Sequence, residues 1–329
     1  MKVIPIFFTF DNNYVVPAAV AFYSLLNRTK HDVFYEMHVL HHDITDENQK
    51  LLLSVTGQFN NAKLMFHDTA GFLSDEFNKS ASFSSGHAGS KFTSDTILRC
   101  FAARFFPQYD KIIYSDVDIV FMDDISELYD IDLRGKYIAG VRGPFMKYVS
   151  DELSHLKPEH YEMLHDTYIA GGIWVMNLKK IRADNLESRM LEIVHDDTII
   201  KRFNDQDIMN IACENHVGFI PLNYISYPYL LDLLRKPDFI SHYSRKEMFD
   251  SIINPKILHF AASKPWNGNP QHADIWWNIF EYLNLPRTKI FRTVESSCQK
   301  KYRKYKRLFH ISLGVAVSSV IALILEIIL

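Results

Sequence analysis

The chain has 329 residues, 47% of them hydrophobic, with 36 Lys and Arg against 39 Asp and Glu for a formal net charge of −3. That length and apolar content suffice for a sizeable core and exclude a small binding module, while the near-balanced charge supplies no global basic field for nucleic acid. Three cysteines, Cys100, Cys213 and Cys298, are too few and too scattered for a disulfide framework or a zinc site, which fits a reducing compartment.

The opening MKVIPIFFTFDNNY lacks a small-residue cleavage site and runs straight into Asp11, so Val3 to Phe10 reads as a first strand and not a signal peptide. Its end carries the polar run Asp11, Asn12, Asn13 and Tyr14. Pro17 to Asn27 follows as a helix with Pro17 near its first turn. Val33 to Leu40 is the next strand. Thr45 then starts a helix with Asn48 and Gln49 in its first turn, and Lys63 to Phe66 makes a third strand. Residues 78–94 are Ser/Gly-rich and long for a connection, which predicts either a mobile flap over a cleft or plain disorder. Thr96 to Phe106 reads as a helix stopped by Pro107, on which Arg99 could be a surface salt-bridge residue. Strands alternating with helices predict an α/β fold with a predominantly parallel, Rossmann-like sheet, and nucleotides bind at the C-terminal edge of such sheets.

At that edge stands the most telling stretch, DKIIYSDVDIVFMDDI, residues 110–125. The apolar run Ile112, Ile113, Tyr114 makes a buried strand that stops at Asp116-Val117-Asp118. In extended backbone the two carboxylates point to one side while Val117 faces the core. A polar turn is the alternative, but a second apolar run, Ile119 to Met122, follows at once. Convergent carboxylates repel unless a cation sits between them, and Asp oxygens suit Mg2+ or Mn2+ with positions left open for phosphates. A phosphate meeting those aspartates without a cation would face about 4 kcal/mol of repulsion per charge pair at 4 Å for a dielectric near 20. Near the other end ILHFAASKPW, residues 257–266, is another short apolar run, ending in His259, Lys264 and Trp266. His259 is either a structural histidine or a third metal ligand, and Lys264 offers a compact charge for a phosphate.

The blocks FTFDNNYVVPAAVAFYSLL, TILRCFAARFFPQYDKIIYSDVDIVF, GGIWVMNLKKI, FNDQDIMN and ILHFAASKPWN, in this order over roughly residues 1–285, resemble the family 8 retaining glycosyltransferases of the GT-A fold, which include bacterial lipopolysaccharide galactosyl- and glucosyltransferases. The resemblance implies a GT-A domain over residues 1–290 using a UDP-hexose donor and Mn2+ or Mg2+. It places Asp11, Asn13 and Tyr14 on the uracil and ribose, Arg99 on the donor sugar, and Asp116, Asp118 and His259 on the metal, with Val117 inside the donor-contacting stretch. Lys264 then touches the diphosphate, and Asp205 and Gln206 line the sugar pocket as the catalytic groups. The chain departs from the family at Ala170-Gly171-Gly172, where Asn-Ala-Gly or Asn-Ser-Gly is usual, and at Gly143, where some members carry a carboxylate. The step from His259 to Lys264 is also one residue shorter than in many members.

Residues 291–329 form a separate tail. KKYRKYKR, residues 300–307, holds six basic residues and two tyrosines, and the apolar stretch from Ile311 to Leu329 would span about 28 Å as a helix. This predicts attachment to a membrane surface, or else a terminal helix packed on the domain. Two functions are thus expected. One is a UDP-hexose transferase on the cytoplasmic face of a membrane, the bacterial inner membrane, acting on a glycan or glycolipid acceptor. The other is a membrane-associated sugar-nucleotide-binding protein that has lost transfer.

Overall fold

The structure is a computed structural model that describes residues 1–72, 94–143, 164, 166–196, 198–199, 203, 205–235, 242–261, 263–287 and 289–290. Nearly all of the Ser/Gly-rich stretch 78–94 and the whole tail 291–329 lie outside the described residues. Among the described residues no helix is long and apolar enough to cross a membrane.

In chain order the elements are β1 (Lys2–Thr9), α1 (Val15–Arg28), β2 (Val33–His41), α2 (Asp46–Thr56), β3 (Ala62–Asp68), α3 (Ser94–Leu98), α4 (Ala102–Phe105), β4 (Ile112–Ser115), β5 (Ile119–Phe121), β6 (Ile138–Arg142), β7 (Ile169–Met176), α5 (Leu178–Ala183), α6 (Leu186–His195), α7 (Asp205–Cys213), β8 (Val217–Ile220), α8 (Leu230–Leu234), α9 (Arg245–Ile253), β9 (Ile257–His259) and α10 (Ala273–Tyr282). Seven strands form one sheet in the order β3-β2-β1-β4-β7-β6-β8. Within it β7 runs antiparallel to both neighbours, and the other pairs are parallel. The expected α/β, mostly parallel architecture is therefore what the chain adopts.

Strand β1 sits near the middle of the sheet between β2 and β4, which is why its sequence is an almost unbroken apolar run. Alternation sends Ile4, Ile6 and Phe8 to one face, under α1, α2 and α10, and Phe7 to the other, under α3 to α7. Strand β7 repeats the pattern, with Ile173 and Val175 against the first layer and Trp174 and Met176 against the second. The expected helix start at Thr45 is present, its hydroxyl accepting from the Asn48 N–H at 3.4 Å.

One expectation is corrected. The single helix from Thr96 to Phe106 is broken: α3 tightens into a 3-10 turn at Arg99–Phe101 before α4 begins. That turn lowers Arg99 into the protein, where it is 7% exposed, so it is no surface residue. The apolar run after Asp118 lies outside the main sheet. It forms β5, which pairs antiparallel with β9 in a separate two-stranded sheet.

Candidate active site

The ends of β1 and β4 and the start of β7 meet at one edge of the sheet, because Ile6 pairs with Ile113 and Ser115 pairs with Ile173. Asp116 continues this register, its N–H donating to Gly172 O at 2.9 Å. Val117 is buried in the core at 4% exposure, as alternation requires, and Asp116 and Asp118 emerge on either side of it. The small sheet supplies the third group. Ile119 pairs with His259, and the Phe260 N–H donates to Asp118 O at 3.0 Å, so the end of β9 is locked beside the acidic pair.

His259 Nε2 lies 3.2 Å from Asp118 Oδ1 and 3.5 Å from Asp116 Oδ2. Ligand atoms from the three side chains fall within 4.8 Å of one another. Lys264 pairs with the other oxygen of Asp118. Arg99 Nη1 reaches Asp116 Oδ1 at 3.0 Å, and its Nε side pairs with Asp205. The sequence-derived residues Arg99, Asp116, Asp118, Asp205, His259 and Lys264 are therefore one contiguous charged cluster, although they come from distant parts of the chain.

The electrostatics follow from that packing. Burial works against charge on both aspartates, yet Arg99 beside Asp116, and Lys264 with His259 beside Asp118, hold both carboxyls below their ordinary range. Burial alone would lower the His259 imidazole, but Asp118 and Asp116 lift it to about 9. Asp205 goes the other way, because burial at 2% exposure outweighs its Arg99 partner. In chelator, His259 titrates near pH 9 in the folded chain against an ordinary value of 6.5. Its stabilising contribution is then complete below pH 6.5 and lost as pH rises through about 9. Urea unfolding in chelator should show that decline in the parent chain but not in His259→Gln.

The first strand end is arranged differently. Asp11 caps a short turn, accepting from the Asn13 N–H at 2.9 Å and from Asn13 Nδ2 at 3.1 Å. Tyr14 leans edge-on against Trp266 with ring centroids 6.0 Å apart, which sets it beside the Lys264 loop. Gln206 accepts from the Gly171 N–H at 2.6 Å and donates to the Tyr168 hydroxyl at 2.9 Å. Tyr168 in turn donates to Asp207 at 2.7 Å, so the start of α7 is fixed to the start of β7.

Three residues of the site escape motif reading. Tyr114 donates its hydroxyl to Asp116 and accepts from Arg99 Nη1 at 3.1 Å. The signal was its position two residues before Asp116, on the same side of the strand. Tyr227, 7% exposed, packs its ring 5.5 Å from that of His259. Gly172 has φ +107°, and a β-carbon there would stand 2.6 Å from both Cε1 and Nδ1 of His259. A glycine pair inside a buried strand signals such a close approach. Gly172→Ala should lower turnover by about 100-fold by displacing the imidazole, and should cost about 1–3 kcal/mol in backbone strain. Steady-state kinetics and urea unfolding of the variant check both.

The mostly parallel sheet, whose edge gathers an Asp-x-Asp pair, a histidine, a lysine and a buried arginine, has the GT-A architecture. The chain belongs to glycosyltransferase family 8, since the model of Glycosyl transferase family 8 matches residues 5–269. It is similar to the lipopolysaccharide 1,2-glucosyltransferase of Escherichia coli, with 23% identity over 309 residues that cover 91% of this chain and 85% of that one. Similarity to the lipopolysaccharide 1,3-galactosyltransferase of Salmonella typhimurium is 25% over 186 residues, covering 53% of this chain and 50% of that protein. Among solved structures, an active-site mutant of LgtC shares the fold with a TM-score of 0.70 at 18% identity, over 86% of this chain and 97% of that chain.

Proposed function

We propose that this glycosyltransferase is a metal-dependent, retaining hexosyltransferase that moves galactose or glucose from a UDP-sugar to a lipopolysaccharide or other glycan acceptor. The observation that carries this reading is the convergence of Asp116, Asp118 and His259 within 4.8 Å, beside Lys264. Their oxygen and imidazole donors fit Mn2+ or Mg2+, with the histidine favouring Mn2+. Asp118 Oδ1 and Asp116 Oδ2 face His259 Nε2 at 3.2 and 3.5 Å, so the three donors converge on one point where a cation would sit. When bound, the metal neutralises the diphosphate and stabilises the departing nucleotide.

The chain's own groups divide the remaining work. Asp11, Asn13 and Tyr14 form a polar turn at the β1 end that suits the nucleoside, and Lys264 supplies the charge for the phosphates. Arg99 is clamped between Asp116 and Asp205 and stacked on the Tyr114 and Trp174 rings at 5.0 and 4.9 Å, so its guanidinium is fixed at the donor-sugar side. Asp205, enclosed and ion-paired, holds that arginine in place, while the partly open Gln206 faces the sugar from the start of α7. The names of the bacterial lipopolysaccharide relatives support the acceptor class and the hexose. In the same reading the GT-A domain spans residues 1–290, and the tail, residues 291–329, holds the enzyme on the cytoplasmic face of the inner membrane beside its acceptor.

Hydrolysis of a UDP-sugar panel tests the proposal without knowledge of the acceptor. Slow release of UDP from UDP-galactose or UDP-glucose with Mn2+, abolished by chelator, is expected. UDP binding without hydrolysis or transfer of any donor would favour the non-catalytic sugar-nucleotide binder.

A further inference from the structure

Lys264 is not held where a group waiting for phosphate would stand free. Its ammonium pairs directly with Asp118 and donates to Ala261 O at 3.0 Å, and its side chain is 14% exposed. The loop carrying it is tied at both ends. The Phe260 N–H is fixed on Asp118 O, the Lys264 N–H reaches Asn267 Oδ1 at 3.2 Å, and Trp277 Nε1 donates to Pro265 O at 3.2 Å. Trp266 anchors the far side against Trp276, with ring centroids 5.2 Å apart. The acidic pair is thus already neutralised from within: Arg99 sits on Asp116, Lys264 sits on Asp118, and His259 lies between them.

From this geometry we infer that Lys264 holds the place of the cation on Asp118, and that metal and nucleotide bind cooperatively because the donor diphosphate draws the lysine off that carboxylate. The inference rests on the proposed metal site and adds an order to it. A divalent cation arriving alone meets an ammonium on one of its own ligands and must displace it against like charge. A diphosphate arriving with the cation gives that ammonium a new anionic partner and frees the Asp118 oxygen in the same event. By linkage, whatever factor UDP adds to metal affinity, the metal adds to UDP affinity.

The experiment is Mn2+ titration followed by the electron paramagnetic resonance signal of free Mn2+, on the parent chain, Lys264→Met and Lys264→Arg, each with and without UDP. Without UDP, Lys264→Met should bind Mn2+ about tenfold tighter than the parent, and Lys264→Arg should stay weak. Addition of UDP should tighten Mn2+ binding strongly in the parent and far less in Lys264→Met. If Lys264→Met fails to fold, Lys264→Gln carries the same expectation. A neutral variant no tighter than the parent in the absence of UDP overturns the inference while leaving the metal site standing, provided the parent binds Mn2+ with UDP. A parent that binds no Mn2+ under either condition overturns the metal reading and the inference together.

Discussion

Asp118→Asn is expected to cut metal-dependent turnover by roughly 1,000-fold while the protein stays folded. The change removes one charge from the place where Asp116, Asp118 and His259 converge, but keeps the shape of a side chain only 12% exposed and leaves the backbone link from Phe260 N–H to Asp118 O intact. The loss estimate, about 10³ in kcat, is the size seen when one group stabilising transition-state charge is deleted. Activity should not recover with excess Mn2+, and far-UV circular dichroism should match the parent. Near-parent turnover in a variant that binds metal normally would remove Asp118 from the site.

The second large effect concerns stability. Arg99→Met should cost about 3–5 kcal/mol, because the guanidinium lies between the carboxylates of Asp116 and Asp205 and its loss leaves Asp205 buried and unpaired at 2% exposure. The methionine keeps the contacts with Tyr114 and Trp174 but none of the charge. Adding Asp205→Asn to the same chain should restore part of the loss, since the orphaned charge is then gone. Urea midpoints of the single and double variants measure this. A cost of about 1 kcal/mol or less would mean the pair behaves like a solvated surface bridge.

Much of the site was legible because its groups sit where strands stop. Asp11, Asp116 and His259 each end a short apolar run; the first two stop at one edge of the main sheet, and the β5–β9 pairing brings the third beside them. The strand runs themselves were readable because β1 and β4 are buried on both faces, which leaves continuous apolar segments. Periodicity gave no sign of the break at Arg99, since the residues around it are apolar on every side. The kink comes from a tertiary demand, one arginine reaching two carboxylates. The departure of β5 from the main sheet was equally hidden, for a strand's own sequence does not name its partner, and here that partner is β9, far along the chain. Gly172 was visible as a glycine in a strand, but its reason, the His259 ring against its α-carbon, exists only once β4, β5, β7 and β9 are assembled.

The most direct measurement is diffraction at the manganese absorption edge from crystals of the protein grown with UDP and Mn2+. The expected result is one strong anomalous peak among Asp116, Asp118 and His259, with the diphosphate between it and Lys264. A peak elsewhere, or bound UDP with no peak at that position, would contradict the assignment of these three residues as the metal site.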